Sequence, residues 1–133
     1  MERVYVDTSA WIAWANKLDP KHKRVKEAIR QWRSRLVTSN LIVYETITVM
    51  RYHFSHQTAL RVGEQLLNDP SLQLIRTTVD DEQTAWALFG QRPDQKYSFT
   101  DCTSFVLMRR LGLTQAVSLD ADFRREGFDL LPG

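Results

Sequence analysis

The order of strand-like and helix-like segments restricts the fold of this chain more than any other feature of its sequence. Short strand-prone runs predict strands at residues 4–6, 36–37, 72–77, 114–119 and 128–131. Helical spacing of apolar residues predicts helices between them, at residues 8–18, 21–35, 41–54, 56–67, 78–89 and 99–111. Because strands alternate with helices, we predict an α/β fold, a three-layer α/β/α sandwich with a central, mostly parallel β-sheet.

Length and composition predict one soluble domain that spans residues 1–133. The chain has 133 residues, of which 43% are hydrophobic and 26% charged, an ordinary balance for a globular protein with its own core. The sequence opens without a signal peptide, and its longest apolar run is too short to cross a bilayer. Cys102 has no second cysteine with which to form a disulfide, which fits a reducing compartment. We therefore expect a cytoplasmic protein without a membrane partner.

Four carboxylates fall at positions from which their side chains could converge. Asp7 and Asp120 each directly follow a predicted strand. The carboxyl ends of parallel strands meet at one edge of the sheet, and ligands bind there. Asp101 falls in the first turn of a predicted helix. Glu45 falls inside another helix among apolar neighbours, where a carboxylate is costly unless a partner satisfies it.

Each acid also has an ordinary structural interpretation. Asp7 could cap the first helix, and Asp101 could form a capping box with Ser98. Asp120 could be a turn residue, and Glu45 could be a partly exposed helix acid. Together, however, four like charges cannot share a site unless a cation offsets them. Mg²⁺ and Mn²⁺ prefer carboxylate oxygen and water as ligands, and such a site can promote hydrolysis of a phosphodiester.

Other kinds of catalytic site find little support in the sequence. His22, His53 and His56 lack the spacing of paired zinc ligands, and one cysteine cannot build a zinc site. There is no P-loop, no G-x-G-x-x-G and no G-x-S-x-G. A receiver-like phosphoacceptor domain would need paired acids after the first strand and a lysine after a late strand. Here one acid follows the first strand, and Asp120 stands where that lysine would be.

A basic stretch lies between the first two predicted strands. Residues 21–35 are rich in lysine and arginine and include a single acidic residue, although the net charge of the chain is only +2. A basic helix can follow the phosphate backbone of a nucleic acid. The side chains expected to do so are Lys23, Arg24, Lys26 and Arg30. The alternative is an ordinary solvated helix face.

Four sequence blocks resemble, in order and spacing, those of the PIN-domain (PilT N-terminal domain) family. They are YVDTSAWIA, TSNLIVYETITVM, YSFTDCTSF and AVSLDADF. The similarity runs from about residue 4 to residue 128 and is strongest with the small VapC-like toxins of prokaryotes. Any one block is a weak signal, whereas four blocks in the right order on the right predicted elements are fairly specific.

The resemblance implies a metal-dependent endoribonuclease, with tRNA or rRNA loops among its substrates. We expect single-stranded or loop RNA, whose backbone can bend into the site, and 5′-phosphate and 3′-hydroxyl products, because the metal would neutralise the leaving 3′ oxygen. The residues implied to hold Mg²⁺ or Mn²⁺ and to carry catalysis are Asp7, Glu45, Asp101 and Asp120. The residues implied to support them are Thr8, Ser98, Thr100 and Asp122. The family also implies a homodimer and a cognate VapB-like antitoxin. The alternative is a catalytically inactive PIN fold that binds RNA or protein, and the intact set of acids argues against it.

Overall fold

The computed structural model of this chain describes residues 2–133 as five strands and seven helices. In chain order these are β1 (Val4–Val6), α1 (Thr8–Ala15), α2 (His22–Gln31), β2 (Leu36–Ser39), α3 (Asn40–His53), α4 (His56–Asn68), β3 (Leu72–Ile75), α5 (Val79–Gln91), α6 (Phe99–Leu111), β4 (Gln115–Val117), α7 (Asp122–Arg125) and β5 (Asp129–Leu131). Among these residues, no helix combines the length and the apolarity that a membrane crossing requires.

The strands form one parallel sheet in the order β3-β2-β1-β4-β5. The chain moves outward from β1 to β3 and then returns to the other side of β1, so the strand order reverses between β1 and β4. Ligand-binding crevices form at such reversal points, beyond the carboxyl ends of the strands. Crossovers between parallel strands are almost always right-handed, and with this strand order that rule assigns α1–α4 to one face of the sheet and α5–α7 to the other, as in the predicted sandwich.

The core is deepest around the central strand and helix α6. Residues Val4–Val6 of β1 are fully buried, as expected for a parallel strand covered on both faces. Phe105 of α6 lies against three aromatic rings, with centroids 5.0 to 6.1 Å away, those of Tyr97, Phe123 and Phe128. This cluster packs α7 and β5 against α6, and α6 and α7 both begin with residues of the predicted site.

The fold class is confirmed, several element boundaries differ from their predictions, and α7 was not predicted. Helix α2 ends at Gln31 instead of residue 35, and β4 ends at Val117 instead of residue 119. Helix α1 ends at Ala15 instead of residue 18, because the Asn16 side chain accepts the backbone N–H of Leu18 in a turn. Strand β3 ends before residue 77, where the backbone N–H of Thr77 bonds to the side chain of Asn40 instead of a neighbouring strand. Helix α5 continues through Gln91, two residues beyond its predicted end at residue 89, and packs against α6.

Candidate active site

Asp7 lies where β1 ends, at the edge of the sheet beside β4. It occupies the N-cap position of α1, yet its side chain makes no capping hydrogen bond, so the helix-cap interpretation is wrong for this residue. Its Oδ2 instead accepts hydrogen bonds from the hydroxyls of Ser9, at 2.9 Å, and Ser118, at 3.0 Å. The Asp7 carboxylate is therefore held at the β1–β4 reversal point by one hydroxyl that follows β1 and one that follows β4.

Burial makes the Asp7 carboxylate unfavourable in its charged form. The residue is only 4% exposed. Burial raises the pKa of Asp7 to about 6, the hydrogen bonds from Ser9 and Ser118 oppose that rise, and the charge of Asp101 adds to it. A cation beside Asp7 would offset this cost.

Asp101 occupies the first turn of α6 and forms the predicted capping box with Ser98. The hydroxyl of Ser98 accepts the backbone N–H of Asp101 at 3.0 Å, and the backbone N–H of Ser98 donates to Asp101 Oδ2 at 2.9 Å. Burial raises the pKa of Asp101 against the effect of these Ser98 contacts, and the charges of Asp120 and Glu45 raise it further. One oxygen of Asp101 thus caps the helix while its charge interacts with two other predicted site acids.

Asp101, Asp120 and Asp122 form a close carboxylate cluster, hereafter the acid cluster. One oxygen of each lies within 4.8 Å of one oxygen of each of the others. Asp120 Oδ1 also accepts the backbone N–H of Asp122 at 2.9 Å, which is the turn role considered for Asp120. Burial and the charge of Asp120 raise the pKa of Asp122, which is also ion-paired with Arg125. Asp120 is thus both a turn residue and a member of the acid cluster.

Asp7 and Glu45 are not members of the acid cluster but interact electrostatically with the same region. Glu45 is half-buried on α3, and its charge raises the pKa of Asp101. The pKa of Tyr5, in the centre of β1, is raised first by burial and further by the charges of Asp7 and Glu45. Helices α3 and α6, which carry Glu45 and Asp101, also contact each other. The four predicted acids therefore approach one region from four different parts of the fold.

Residues predicted to support the acids take several positions. Ser98 orients Asp101 through the capping box, and Asp122 is itself part of the acid cluster. The Oγ1 atom of Thr8, directly after Asp7, is buried without a hydrogen-bond partner among residues 2–133. Thr100 precedes Asp101 in the same turn, and its carbonyl accepts the hydroxyl of Thr103 at 2.6 Å.

Two serines that the sequence did not single out organise the site. The Ser118 hydroxyl, which donates to Asp7, also accepts the backbone N–H of Asp120 at 3.0 Å. The Ser9 hydroxyl, which also donates to Asp7, accepts the backbone N–H of Leu119 at 3.0 Å. Both serines stand two residues from a predicted site acid, in "DTS" and "SLD", and that adjacency was the available signal.

The ligand atoms on offer fit a hard divalent cation. Every ligand atom of the acid cluster is a carboxylate oxygen, the type that Mg²⁺ and Mn²⁺ prefer. Mutual repulsion contributes to the raised pKa values of Asp101 and Asp122, and a cation would relieve it. The unsatisfied hydroxyl of Thr8 offers a further oxygen beside Asp7. These residues could hold such an ion directly or through water.

The four basic residues expected to contact a nucleic acid lie on α2. The hydrogen bonds of Arg24 and Arg30 are made with residues outside the acid cluster. Arg24 donates to the carbonyl of Gly133 at 3.2 Å. Arg30 bonds to Glu27 of its own helix through two N–H groups, at 2.9 and 2.6 Å. The side chains of Lys23 and Lys26 are exposed. Their role in binding stays a prediction.

The parallel sheet with its reversal point and the acids gathered there define a PIN-domain protein. Residues 4–128 match the PIN domain family model, and the chain belongs to this family. It is 34% identical over 128 residues to the "23S rRNA-specific endonuclease VapC20" of two Mycobacterium tuberculosis strains, an alignment that covers 94% of this chain and 95% of the relative.

Solved structures share the fold. The crystal structure of Mycobacterium tuberculosis VapC20, described as a sarcin-ricin loop cleaving toxin, matches with a TM-score of 0.89 and 31% identity over 94% of this chain and 95% of that one. DNA-bound VapBC from Salmonella typhimurium matches with a TM-score of 0.72 and 16% identity, covering 98% of this chain and 97% of that one. FitAcB from Neisseria gonorrhoeae matches with a TM-score of 0.69 and 12% identity, covering 96% and 95%. The last two matches concern the fold alone.

Proposed function

We propose that this protein is a metal-dependent endoribonuclease and the toxin of a VapBC-type toxin–antitoxin pair. The observation that carries the proposal is the acid cluster beside Asp7 at the reversal point of the sheet, where the Ser118 hydroxyl bonds to both Asp7 and the backbone N–H of Asp120. A site of this composition suits hydrolysis of a phosphodiester, because a metal held by carboxylates can offset the charge that develops there. The similarity to the endonuclease VapC20 supports the same reaction.

The proposed ligands for Mg²⁺ or Mn²⁺ are Asp7, Glu45, Asp101 and Asp120. Of these, Asp101 and Asp120 share the acid cluster with Asp122. The bound cation would supply charge stabilisation at the scissile phosphate and a more acidic water. The N-terminus of α6 favours the ionised form of Asp101, and the Ser98 contact fixes the orientation of its carboxyl group. Ser9 and Ser118 orient Asp7 in the same way.

We infer that the substrate is a loop of ribosomal RNA. VapC20 is named for 23S rRNA, and its crystal structure for cleavage of the sarcin-ricin loop. Loop nucleotides are unstacked and can bend toward a recessed site, unlike a regular duplex. Exposed Lys23 and Lys26 on α2 would contact the phosphate backbone of the substrate. A protein that acts on ribosomes would be expected in the cytoplasm.

Two protein partners belong to the proposal, a VapB-like antitoxin and a second copy of this chain. The exposed aromatic side chains of α5 and α6 support the homodimer. Trp86 is 67% exposed, and its ring centroid lies 5.6 Å from that of Phe89 and 6.4 Å from that of Phe99. Contiguous exposed apolar surface of this kind commonly marks a protein interface.

Cleavage of ribosomal RNA by antitoxin-free protein tests the proposed activity. Purified protein is incubated with ribosomes and with deproteinised 23S rRNA in Mn²⁺, Mg²⁺ or EDTA, and cut sites are mapped by primer extension. We expect discrete cuts in a loop of 23S rRNA that require the metal and vanish in Asp101→Asn. The matched control is Asp94→Asn, which neutralises an exposed loop acid outside the site and should cut like wild type.

Failure of the proposed activity has a clear signature in this assay. Cuts that survive EDTA or Asp101→Asn would come from another nuclease or another site, and the proposal would be wrong. Absence of any cut in folded, antitoxin-free protein across rRNA and tRNA pools would favour the binding-only PIN fold.

A further inference from the structure

Helix α7 carries Asp122 of the acid cluster and begins two residues after Asp120, another member, yet it is too short to be stable by itself. It spans only Asp122–Arg125, and isolated helices of this length are not stable. Its position must therefore come from packing. Phe123 supplies an apolar contact, its ring centroid 5.0 Å from that of Phe105 on α6. A polar contact follows at the next residue after the helix, Glu126.

Glu126 is a buried charged residue at the end of α7. Its side chain is 4% exposed, and a charge at that depth is tolerated only with several hydrogen-bonding partners. Oε2 accepts from Arg92 Nε at 3.0 Å and from the Tyr97 hydroxyl at 2.9 Å. Arg109 Nη2 donates to Oε1 at 2.9 Å and to the Glu126 carbonyl at 2.8 Å. Glu126 thus joins α7 to the end of α5, the following loop and α6.

We propose that Glu126 is a positioning residue that sets the acid cluster by tying the end of α7 to α6. Arg109 and Asp101 belong to the same helix, so the Glu126–Arg109 contact fixes α7 relative to the helix that carries Asp101. Movement of α7 along α6 would change the separation of Asp122 from Asp101 and so the geometry offered to a cation. The inference rests on the proposed function in treating this cluster as the cation site.

The competing interpretation is that Glu126 stabilises the fold and nothing more. The chain contains a matched ion pair that separates the two. Asp81 has a side chain 3% exposed and accepts two hydrogen bonds from Arg110, at 2.7 and 2.9 Å. This pair joins α5 to α6, as Glu126 does, but none of its hydrogen bonds involves α7. Asp81→Asn should therefore weaken the fold without moving the acids.

Binding of Mn²⁺ to the antitoxin-free protein tests the proposal. Affinity is measured by calorimetric titration and by the Mn²⁺ electron paramagnetic resonance signal, for wild type, Glu126→Gln and Asp81→Asn. Loss of a group that orients metal ligands typically costs about 10-fold or more in affinity. We expect Glu126→Gln to bind Mn²⁺ about 10-fold more weakly and Asp81→Asn to stay within about 2-fold of wild type, although both melt at lower temperature.

The other possible results would overturn the role of Glu126, the ribonuclease activity, or both. If Glu126→Gln binds Mn²⁺ like wild type, or both variants weaken equally, Glu126 has a structural role only. If Glu126→Gln does not fold, Arg92→Gln removes one donor to Glu126 and should weaken Mn²⁺ binding less but in the same direction, and unchanged binding overturns the proposal. Wild type that binds Mn²⁺ without cutting RNA overturns the ribonuclease alone. Wild type that binds no Mn²⁺ overturns both.

Discussion

Asp7 places a negative charge where water cannot solvate it, which lowers the free energy of unfolding by an amount that depends on pH. Its pKa is about 6 in the folded chain against an ordinary value of 3.8, so between these values the folded state binds more protons than the unfolded state. The contribution of Asp7 to stability therefore falls as pH rises through this window, and the full penalty is present at neutral pH. At about 1.4 kcal/mol per pKa unit, the penalty is at most about 3 kcal/mol.

We predict that Asp7→Asn stabilises the metal-free protein at pH 7.5 by about 1–3 kcal/mol while abolishing cleavage. The gain should shrink as pH falls from 6 to below 4, because the wild-type carboxyl group is protonated in the folded state below about 6 and in the unfolded state only below 3.8. Urea unfolding in EDTA at several pH values, with wild type and variant side by side, measures the difference. A variant that is less stable than wild type at every pH would contradict the account of Asp7 as a strained carboxylate.

Ser118 shows what could not be inferred at the scale of single residues. The acids were predicted because their positions relative to strands and helices follow from sequence patterns. The Ser118–Asp7 contact joins two residues far apart in the chain, so it depends on the pairing of β1 with β4. A hydroxyl beside an acid is too common in sequences to indicate such a contact.

We predict that Ser118→Ala weakens Mn²⁺ binding about 10-fold at pH 6.5 and less at pH 8. In wild type the hydrogen bond from Ser118 lowers the pKa of Asp7. Without it the pKa of Asp7 rises, so protons compete better with the metal for this carboxylate. Calorimetric titration at both pH values measures the effect. Ser71→Ala is the control, because the Ser71 hydroxyl donates to Asp69 at 2.7 Å outside the site. Equal weakening in both variants would argue against a role for Ser118 at Asp7.

Two helices begin with the same device, a capping box that ends in an aspartate. In α6 it joins Ser98 to Asp101, and in α5 it joins Thr78 to Asp81. The α6 cap was predictable because the S-x-x-D spacing is local in the chain. The capping box also orients Asp101 within the acid cluster, and local spacing could not predict this. The other members of the cluster come close to Asp101 only when the sheet forms.

We predict that Ser98→Ala and Thr78→Ala each destabilise the protein by about 1 kcal/mol, the usual cost of a lost N-cap. Only Ser98→Ala should lower the rate of RNA cleavage, because only that cap orients a member of the acid cluster. Thermal unfolding and single-turnover cleavage measure the two effects. If both variants lose activity in proportion to stability, the α6 cap is a structural element without a special role in catalysis.

For the whole molecule, the α/β class and the parallel sheet followed from the alternation of strands and helices. The position of β4 beside β1 did not, because β4 has three residues and pairs with a strand at the other end of the chain. The structure was also needed to tell which basic side chains of residues 21–35 already have a partner. Arg30 is already bonded to Glu27, a pairing across one helical turn that a count of charges does not reveal.

We predict that the antitoxin-free protein sediments as a dimer and that Trp86→Glu shifts it to monomer. A carboxylate in the centre of the exposed aromatic cluster would oppose burial of that surface. Analytical ultracentrifugation across a concentration series measures the shift, with Tyr52→Glu as control because Tyr52 is exposed on α3. A Trp86→Glu protein that remains dimeric but binds RNA more weakly would assign the cluster to RNA contact.

The reversal of strand order has a consequence for the moment at which the protein becomes active during its synthesis. Strands β1, β2 and β3 leave the ribosome first and can pair with one another, but Asp7 then stands at the open edge of an incomplete sheet. Its partners at residues 118–122 reach that edge only after β4 has been translated and inserted beside β1. Under the proposed function, a nascent chain therefore lacks the complete set of site acids until translation has passed residue 122.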